Sequence, residues 1–179
     1  VGEGGLPDPA MSTVIEGDWQ LLHTSSSQFD PRNPLGRRSD GSSPGLEGAI
    51  SAITGGAGIG EASSSPIQRA FTAAFSVVQT IRLATPEQRV EQRVRTPAGV
   101  LHLNARASVS ADAPQRISFA FDEGYLQLSA PAGLRLPYPV PFRLLGKEAE
   151  GYLDTLYLSE KLRISRGNKG TTFVLSKLP

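Results

Sequence analysis

Few residues of this chain have types and spacings that could carry out chemistry. Ser43 is the central residue of Gly41-Ser42-Ser43-Pro44-Gly45, which matches the G-x-S-x-G sequence of a serine nucleophile. Such a serine needs a strand before it and a helix after it, whereas Pro44 follows Ser43 directly in a glycine- and serine-rich stretch. The glycines of residues 55–60 fail the G-x-G-x-x-G pattern, because Glu61 stands where the last glycine would fall. Neither motif predicts catalysis.

Metal and nucleic-acid binding are equally poorly supported by the sequence. The chain has no cysteine and only two histidines, His23 and His102, so thiolate and histidine-rich metal sites are excluded. The net charge of +1 gives no overall field that attracts nucleic acid. Arginines at 82, 89, 93 and 95 are interrupted by Glu87 and Glu91, which is typical of a solvated strand face. We therefore expect no enzyme, no cofactor and no nucleic-acid partner.

Asp154 lies among apolar residues and needs a partner for its charge. Arg163 and Arg166 follow it across a polar turn. The spacing predicts a structural ion pair of Asp154 with these arginines. A polar contact to a ligand is the alternative interpretation.

Trp19 is the single tryptophan of the chain, in Gly17-Asp18-Trp19. This spacing resembles the opening of lipocalins, in which the indole plugs the closed end of a barrel. A buried indole needs a partner for its N–H, and a late arginine, Arg163 or Arg166, is expected to lie over the ring. A contact of Trp19 with a ligand remains the alternative.

The elements that must position these residues are short strands. Residues 101–109 alternate, with Leu101, Leu103 and Ala105 on one face and polar residues on the other. Phe119 and Phe121 are expected to point inward, and Asp122-Glu123-Gly124 predicts a hairpin. The predicted strands cover residues 17–24, 75–83, 89–95, 101–109, 117–121, 125–128, 152–158, 161–166 and 171–177. This pattern predicts an all-β antiparallel meander that forms an open or a closed barrel.

The remaining segments are predicted to be loops of one domain that spans residues 1–179. Residues 1–16 read as an irregular N-terminal segment. Residues 28–65 are rich in glycine, serine and proline, so we expect a long loop insertion outside the barrel, with a short helix at 46–53. The chain begins with Val1, which suggests a processed protein or part of a longer precursor.

Residues 130–142 combine apolar side chains with prolines and glycine, which predicts a stiff apolar loop. Exposed, such a loop would contact a membrane or a protein partner. Folded inward, it would cover the mouth of the barrel as a lid. The side chains expected to make the membrane or partner contact are Leu136, Tyr138, Val140 and Phe142.

Four sequence blocks together resemble the plastid-lipid-associated protein family, the fibrillins. They are residues 17–26, Val78-Gln79-Thr80-Ile81, the proline-rich residues 136–142, and residues 151–175 with their three predicted strands. The resemblance implies a lipocalin-like barrel that has no catalytic activity. It also implies a location in the chloroplast, at the periphery of thylakoid membranes or plastoglobules. It also implies binding of isoprenoid lipids, such as quinones or carotenoids, or support of membrane complexes.

Two functional hypotheses follow. In the first, the barrel binds an apolar lipid in a pocket. In the second, the barrel is filled, and the protein is a structural subunit docked on a thylakoid membrane protein complex. Small inward residues, Ala105 and Ala107, favour the first because they leave room, and the long insertion favours the second. The expected pocket residues are Trp19, Leu103, Phe119, Phe121, Tyr152, Tyr157 and Phe173.

Overall fold

A computed structural model of the chain describes residues 5–25, 76–96, 98–131, 133–137, 149–168 and 170–179. Over these residues the protein is all-β, which confirms the predicted fold class. Two 3-10 turns precede the sheet, at Pro9–Met11 and Thr13–Ile15. The strands are β1 (Gly17–Thr24), β2 (Val77–Arg82), β3 (Arg89–Thr96), β4 (Gly99–Val109), β5 (Arg116–Leu128), β6 (Arg135–Pro137), β7 (Glu150–Leu158), β8 (Leu162–Gly167) and β9 (Thr172–Lys177).

The strands form one antiparallel sheet that closes into a ring. The order is β4-β3-β2-β1-β9-β8-β7-β5-β6, and β4 also pairs with β5. Closure therefore joins eight strands, while the three-residue β6 lies beside β5 as a short edge. A closed sheet leaves few unpaired backbone groups and gives every strand one face toward a common interior.

Alternation along β4 shows why the sequence forms this ring. Leu101, Leu103 and Ala105 are buried, whereas the intervening His102 and Asn104 are only partly buried. A period of two is what places successive side chains on opposite faces of a strand. The predicted inward face of this segment is therefore confirmed for these three residues.

The predicted hairpin at residues 122–124 is wrong. β5 runs without interruption from Arg116 to Leu128 and pairs with β4 along its whole length. The register shifts between Asn104 and Ala105, where Phe121 and Glu123 are the successive partners on β5. Asp122 is thus the extra residue of a β-bulge. Its polar neighbours have turn chemistry, but the long β4 partner keeps the strand extended.

The two ends of the ring differ. At one end β1, β3, β5 and β8 begin, and the two 3-10 turns pack there with Ala10 and Ile15 buried. The Ala10 N–H donates to the carbonyl of Pro114 at 2.8 Å, and the Leu6 N–H donates to that of Leu158 at 3.1 Å. We name this the closed end. β1 finishes and β2 begins at the opposite end, which we name the open end. Residues 26–75, which include the predicted 28–65 insertion, lie outside the described residues.

Candidate ligand-binding interior

Trp19 plugs the closed end of the ring. Its side chain is fully buried, and its indole N–H donates to the carbonyl oxygen of Ile15 at 2.8 Å. The guanidinium carbon of Arg163 and the Nζ atom of Lys177 each lie 5.2 Å from the ring centroid. The predicted plug with a late arginine over the indole is confirmed, and the arginine is Arg163. Cations this close to an indole are attracted by its quadrupole.

Arg163 is a cation buried inside the ring. It is 1% exposed, and burial lowers the pKa of its guanidinium to about 9. One Nη2–H donates to the Oε1 atom of Gln79. The Nε and Nη1 atoms are buried and have no hydrogen-bond partner among the described residues. A buried charged donor without a partner is costly, so these two nitrogens are the most unusual feature of the interior.

Two hydroxyl groups share this situation. Thr155 on β7 and Ser165 on β8 are directly opposite each other in the register and are 3% and 1% exposed. Neither hydroxyl oxygen has a hydrogen-bond partner among the described residues. Ser165 is two residues from Arg163 along the same strand and shares its face. Three unsatisfied polar side chains therefore face the interior on neighbouring strands.

The ion pair predicted for Asp154 has a different partner. The Asp154 carboxylate accepts from Nε and Nη2 of Arg116 at 2.7 and 2.8 Å. Arg163 was the wrong partner because β8 alternates: Arg163 pairs with Leu158 and faces the interior, whereas Asp154 faces outward. Arg166 is the cross-strand neighbour of Asp154 on the outer face. The bidentate pair instead joins β5 to β7.

Four of the expected pocket residues besides Trp19 face the interior. Leu103 is fully buried in the core, and Phe121 packs partly buried against that core. Phe119 meets Phe121 edge to face, with ring centroids 5.3 Å apart. Phe173 is partly buried against the cluster around Trp19. The structure thus brings Leu103, Phe119, Phe121 and Phe173 to the inside of one ring.

Tyr152 and Tyr157 face outward, which corrects the predicted pocket. The Arg116 guanidinium carbon lies 3.7 Å from the centroid of the Tyr152 ring, on the same face as Asp154. A register shift between Thr155 and Tyr157 places both tyrosines on one face of β7, with Leu156 as the extra residue. That face is the outer one. A bulge of one residue cannot be read from the pattern of apolar residues alone.

Gly151 is a site residue that was not predicted from the sequence. It lies opposite Phe119, and a Cβ atom there would be 2.7 Å from the tip of the Phe119 ring. The missing side chain therefore lets the Phe119 ring lie over β7. The only sequence signal of this close approach is a glycine that directly precedes an aromatic residue in a strand.

The membrane-contact residues are only partly described. Leu136 is 36% exposed on β6, and the neighbouring Leu134 is 47% exposed. Tyr138, Val140 and Phe142 lie outside the described residues, so their predicted contacts are not tested. Beside Leu136, Arg135 lies over the Tyr125 ring at 4.7 Å, and that ring stacks on His102 at a centroid distance of 4.6 Å. Burial, with Arg93 and Arg135 nearby, lowers the pKa of His102.

A groove of about 680 Å³ is lined by residues of β4, β5 and β7 and by Asn168. Much of its lining is polar, with Arg106, Glu150 and Asn168 among the contributing residues. It opens to solvent and is separate from the Arg163 region. Two of the predicted pocket residues, Phe119 and Tyr152, are among its lining residues.

Within the described residues, no group of three or more histidine, aspartate or glutamate side chains is placed to hold a metal ion. No helix in the described part of the chain is long and apolar enough to cross a membrane.

The described strands thus form a closed antiparallel ring with a tryptophan plug and inward aromatic side chains. Residues 60–176 match the PAP_fibrillin family, and the chain belongs to this family. It is also 39% identical over 181 residues to a protein of Arabidopsis thaliana named "Probable plastid-lipid-associated protein 12, chloroplastic". That alignment covers 98% of the chain and 36% of the relative, so the chain spans about a third of the relative's length. No solved structure matches the chain.

Proposed function

We propose that the protein is a non-enzymatic lipid-associated protein of the chloroplast that binds an isoprenoid-type lipid inside its ring of strands. The proposal rests chiefly on membership of the PAP_fibrillin family. The name of the Arabidopsis relative supports a plastid lipid-associated role. The interior supports binding, because Phe119, Phe121 and Phe173 are only partly buried and face inward. Partly buried aromatic rings can move aside for an apolar ligand more easily than a sealed core can.

We also propose that the protein attaches to the surface of a thylakoid or a plastoglobule. The hairpin between β5 and β6 supports it, because Leu134 and Leu136 are exposed together at the open end beside the cation Arg135. Exposed apolar side chains next to a cation suit the boundary between lipid headgroups and acyl chains. The predicted contacts of Tyr138, Val140 and Phe142 would extend this surface.

Flotation with vesicles of plastid lipids tests the attachment. We expect the double variant Leu134→Ser and Leu136→Ser to bind vesicles more weakly, because membrane affinity scales with the apolar area buried, at about 25 cal/mol per Å². Met11→Ser is the matched control, since Met11 is 59% exposed but lies at the closed end. Equal flotation of the double variant, the control and the unchanged protein would remove this hairpin from the proposal.

A second candidate function is a structural subunit docked on a thylakoid membrane protein complex. Dense packing at the closed end favours it, because Trp19, Ile81 and Leu158 are fully buried and already fill that part of the ring. Under this alternative the unchanged protein binds no lipid at equimolar levels and is recovered with a membrane protein. Co-purification from chloroplast membranes followed by lipid and protein mass spectrometry distinguishes the two.

A further inference from the structure

The interior contains a polar layer between two apolar clusters. On β2, Gln79 lies between Val77 of one cluster and Ile81 of the other, and on β3, Gln92 lies between Val90 and Val94 in the same way. Gln79 and Gln92 are directly opposite each other in the register. Opposite them in the ring, β7 and β8 contribute Thr155, Arg163 and Ser165. We name these five residues the polar layer.

Among the described residues, no acidic side chain balances the charge of this layer. Arg163 faces inward, and the described inward positions beside it on β7, β8 and β9 are threonine, serine, glycine and apolar residues and the further cation Lys177. The acidic side chain nearest in sequence, Asp154, is engaged with Arg116 on the outer face. A buried cation is ordinarily paired, because its desolvation is otherwise uncompensated. The interior therefore favours a group that brings negative charge or strong acceptor oxygens.

We infer that the polar layer binds the head group of a ligand, and that this ligand is a hydrocarbon chain ending in a carbonyl or carboxylate oxygen. One free nitrogen of Arg163, Nε or Nη1, and the hydroxyl of Thr155 or Ser165 donate to that oxygen, whose two lone pairs accept two hydrogen bonds. The hydrocarbon chain runs toward the open end, past Phe121 and the cluster of Leu103. This inference rests on the proposed function and adds the chemistry of the head group to it.

Entry requires movement, because the unsatisfied atoms are sealed. Each exposes less than 1 Å². Phe173 is the cross-strand neighbour of Ser165 on β9 and is only partly buried. A shift of its ring opens the layer from the open end, while the Trp19 plug stays in place. A ligand that lacks acceptor oxygens gains nothing at the layer and leaves the donors unsatisfied, so the site selects against pure hydrocarbons.

The test is calorimetric titration of the full chain with matched probes. A benzoquinone with a decyl chain is compared with decylbenzene, and dodecanoate is compared with dodecane. We expect each oxygen-bearing probe to bind at least about tenfold more tightly than its hydrocarbon partner, in line with a charge-assisted hydrogen bond. The quinone should also quench the fluorescence of Trp19, since Arg163 lies 5.2 Å from that ring.

Variants test which side chains cause the preference for oxygen-bearing probes. Arg163→Met should abolish the preference for oxygen-bearing probes over their hydrocarbon partners. Arg166→Met is the matched control, because Arg166 is exposed on the outer face of the same strand. Should Arg163→Met fail to fold, the pair Thr155→Val and Ser165→Ala removes two donors at nearly constant volume and should lower the preference severalfold.

The outcomes separate the inference from the proposed function. Binding of all probes with no preference for oxygen, or an unchanged preference in the Arg163→Met and paired hydroxyl variants, overturns the inference and leaves lipid binding intact. Absence of binding for every probe overturns the proposed function as well, and ordered water is then the occupant of the layer. A preference of only one oxygen type, quinone or carboxylate, supports the inference and identifies which source supplies the head group.

Discussion

Truncation of Trp19 tests the role of the closed end in stability. The side chain is fully buried, donates a hydrogen bond to Ile15 and lies beside two cations. An indole buries about 150–250 Å², which at about 25 cal/mol per Å² is worth roughly 4–6 kcal/mol. Because the unfolded chain already buries part of this area, the value is an upper bound. We expect Trp19→Ala to cost about 3–5 kcal/mol of unfolding free energy, the range of similar truncations.

The assay is urea unfolding followed by far-ultraviolet circular dichroism, because Trp19 is the single tryptophan and its fluorescence is lost in the variant. A loss of this size is a large part of the stability of a domain, about 5–15 kcal/mol. Trp19→Phe therefore serves as a graded variant that keeps most of the apolar area and loses the hydrogen bond, with an expected cost of about 1–2 kcal/mol.

Leu22→Ala is the control for Trp19→Ala, since Leu22 is also on β1 but is 59% exposed. Its expected effect is within about 0.5 kcal/mol. A cost below about 1 kcal/mol for Trp19→Ala, with an unchanged dependence on urea, would refute the reasoning that this indole closes the ring.

Three further predictions use the same unfolding assay. Gly99→Ala should be strongly destabilising, because a Cβ atom there would lie 2.0 Å from the Gln127 carbonyl oxygen, whereas Gly133→Ala, also at positive φ but in open space, should cost only about 1–2 kcal/mol; equal costs would contradict this. A double-mutant cycle of Arg116→Gln and Asp154→Asn should show favourable coupling between the two side chains, and no coupling would show that the pair is not formed. The pKa of His102 is lowered, chiefly by burial and then by Arg93, so the unfolded state binds the proton more readily. Stability should therefore fall as the pH drops below the ordinary histidine pKa of about 6.5, and His102→Gln should reduce that fall.

The strands were predictable where polar and apolar residues alternate. β1 coincides with the predicted residues 17–24, and the three C-terminal strands match to within two residues at each end. Their turns carry glycine and polar residues, and Gly170 adopts the positive φ that the predicted hairpin required. Local patterns of this kind act within a few residues, so one sequence is enough to show them.

The candidate site was less predictable because it depends on register across the sheet. The bulge at Leu156 decides that Tyr157 faces outward, and it arises from pairing with β8 rather than from local sequence. Arg163 was expected over the Trp19 indole or in an ion pair with Asp154, and the register of β8 decides between the two. Arg163 and Ser165 share one face of β8, and their cross-strand neighbours on β7 are the buried Leu158 and Thr155. This pairing places Arg163 inside the ring. Ring closure brings these residues together, and closure has no signature in a single strand.

The central claim is that the ring holds an isoprenoid-type lipid, and native mass spectrometry of protein purified from chloroplasts tests it most directly. The proposal predicts a bound species close to one per chain that releases, on extraction, a quinone or another isoprenoid lipid. If the polar layer binds the head group, this species is also retained in Arg166→Met and depleted in Arg163→Met. Protein that is folded, free of lipid and stoichiometric with a membrane protein subunit would contradict the claim.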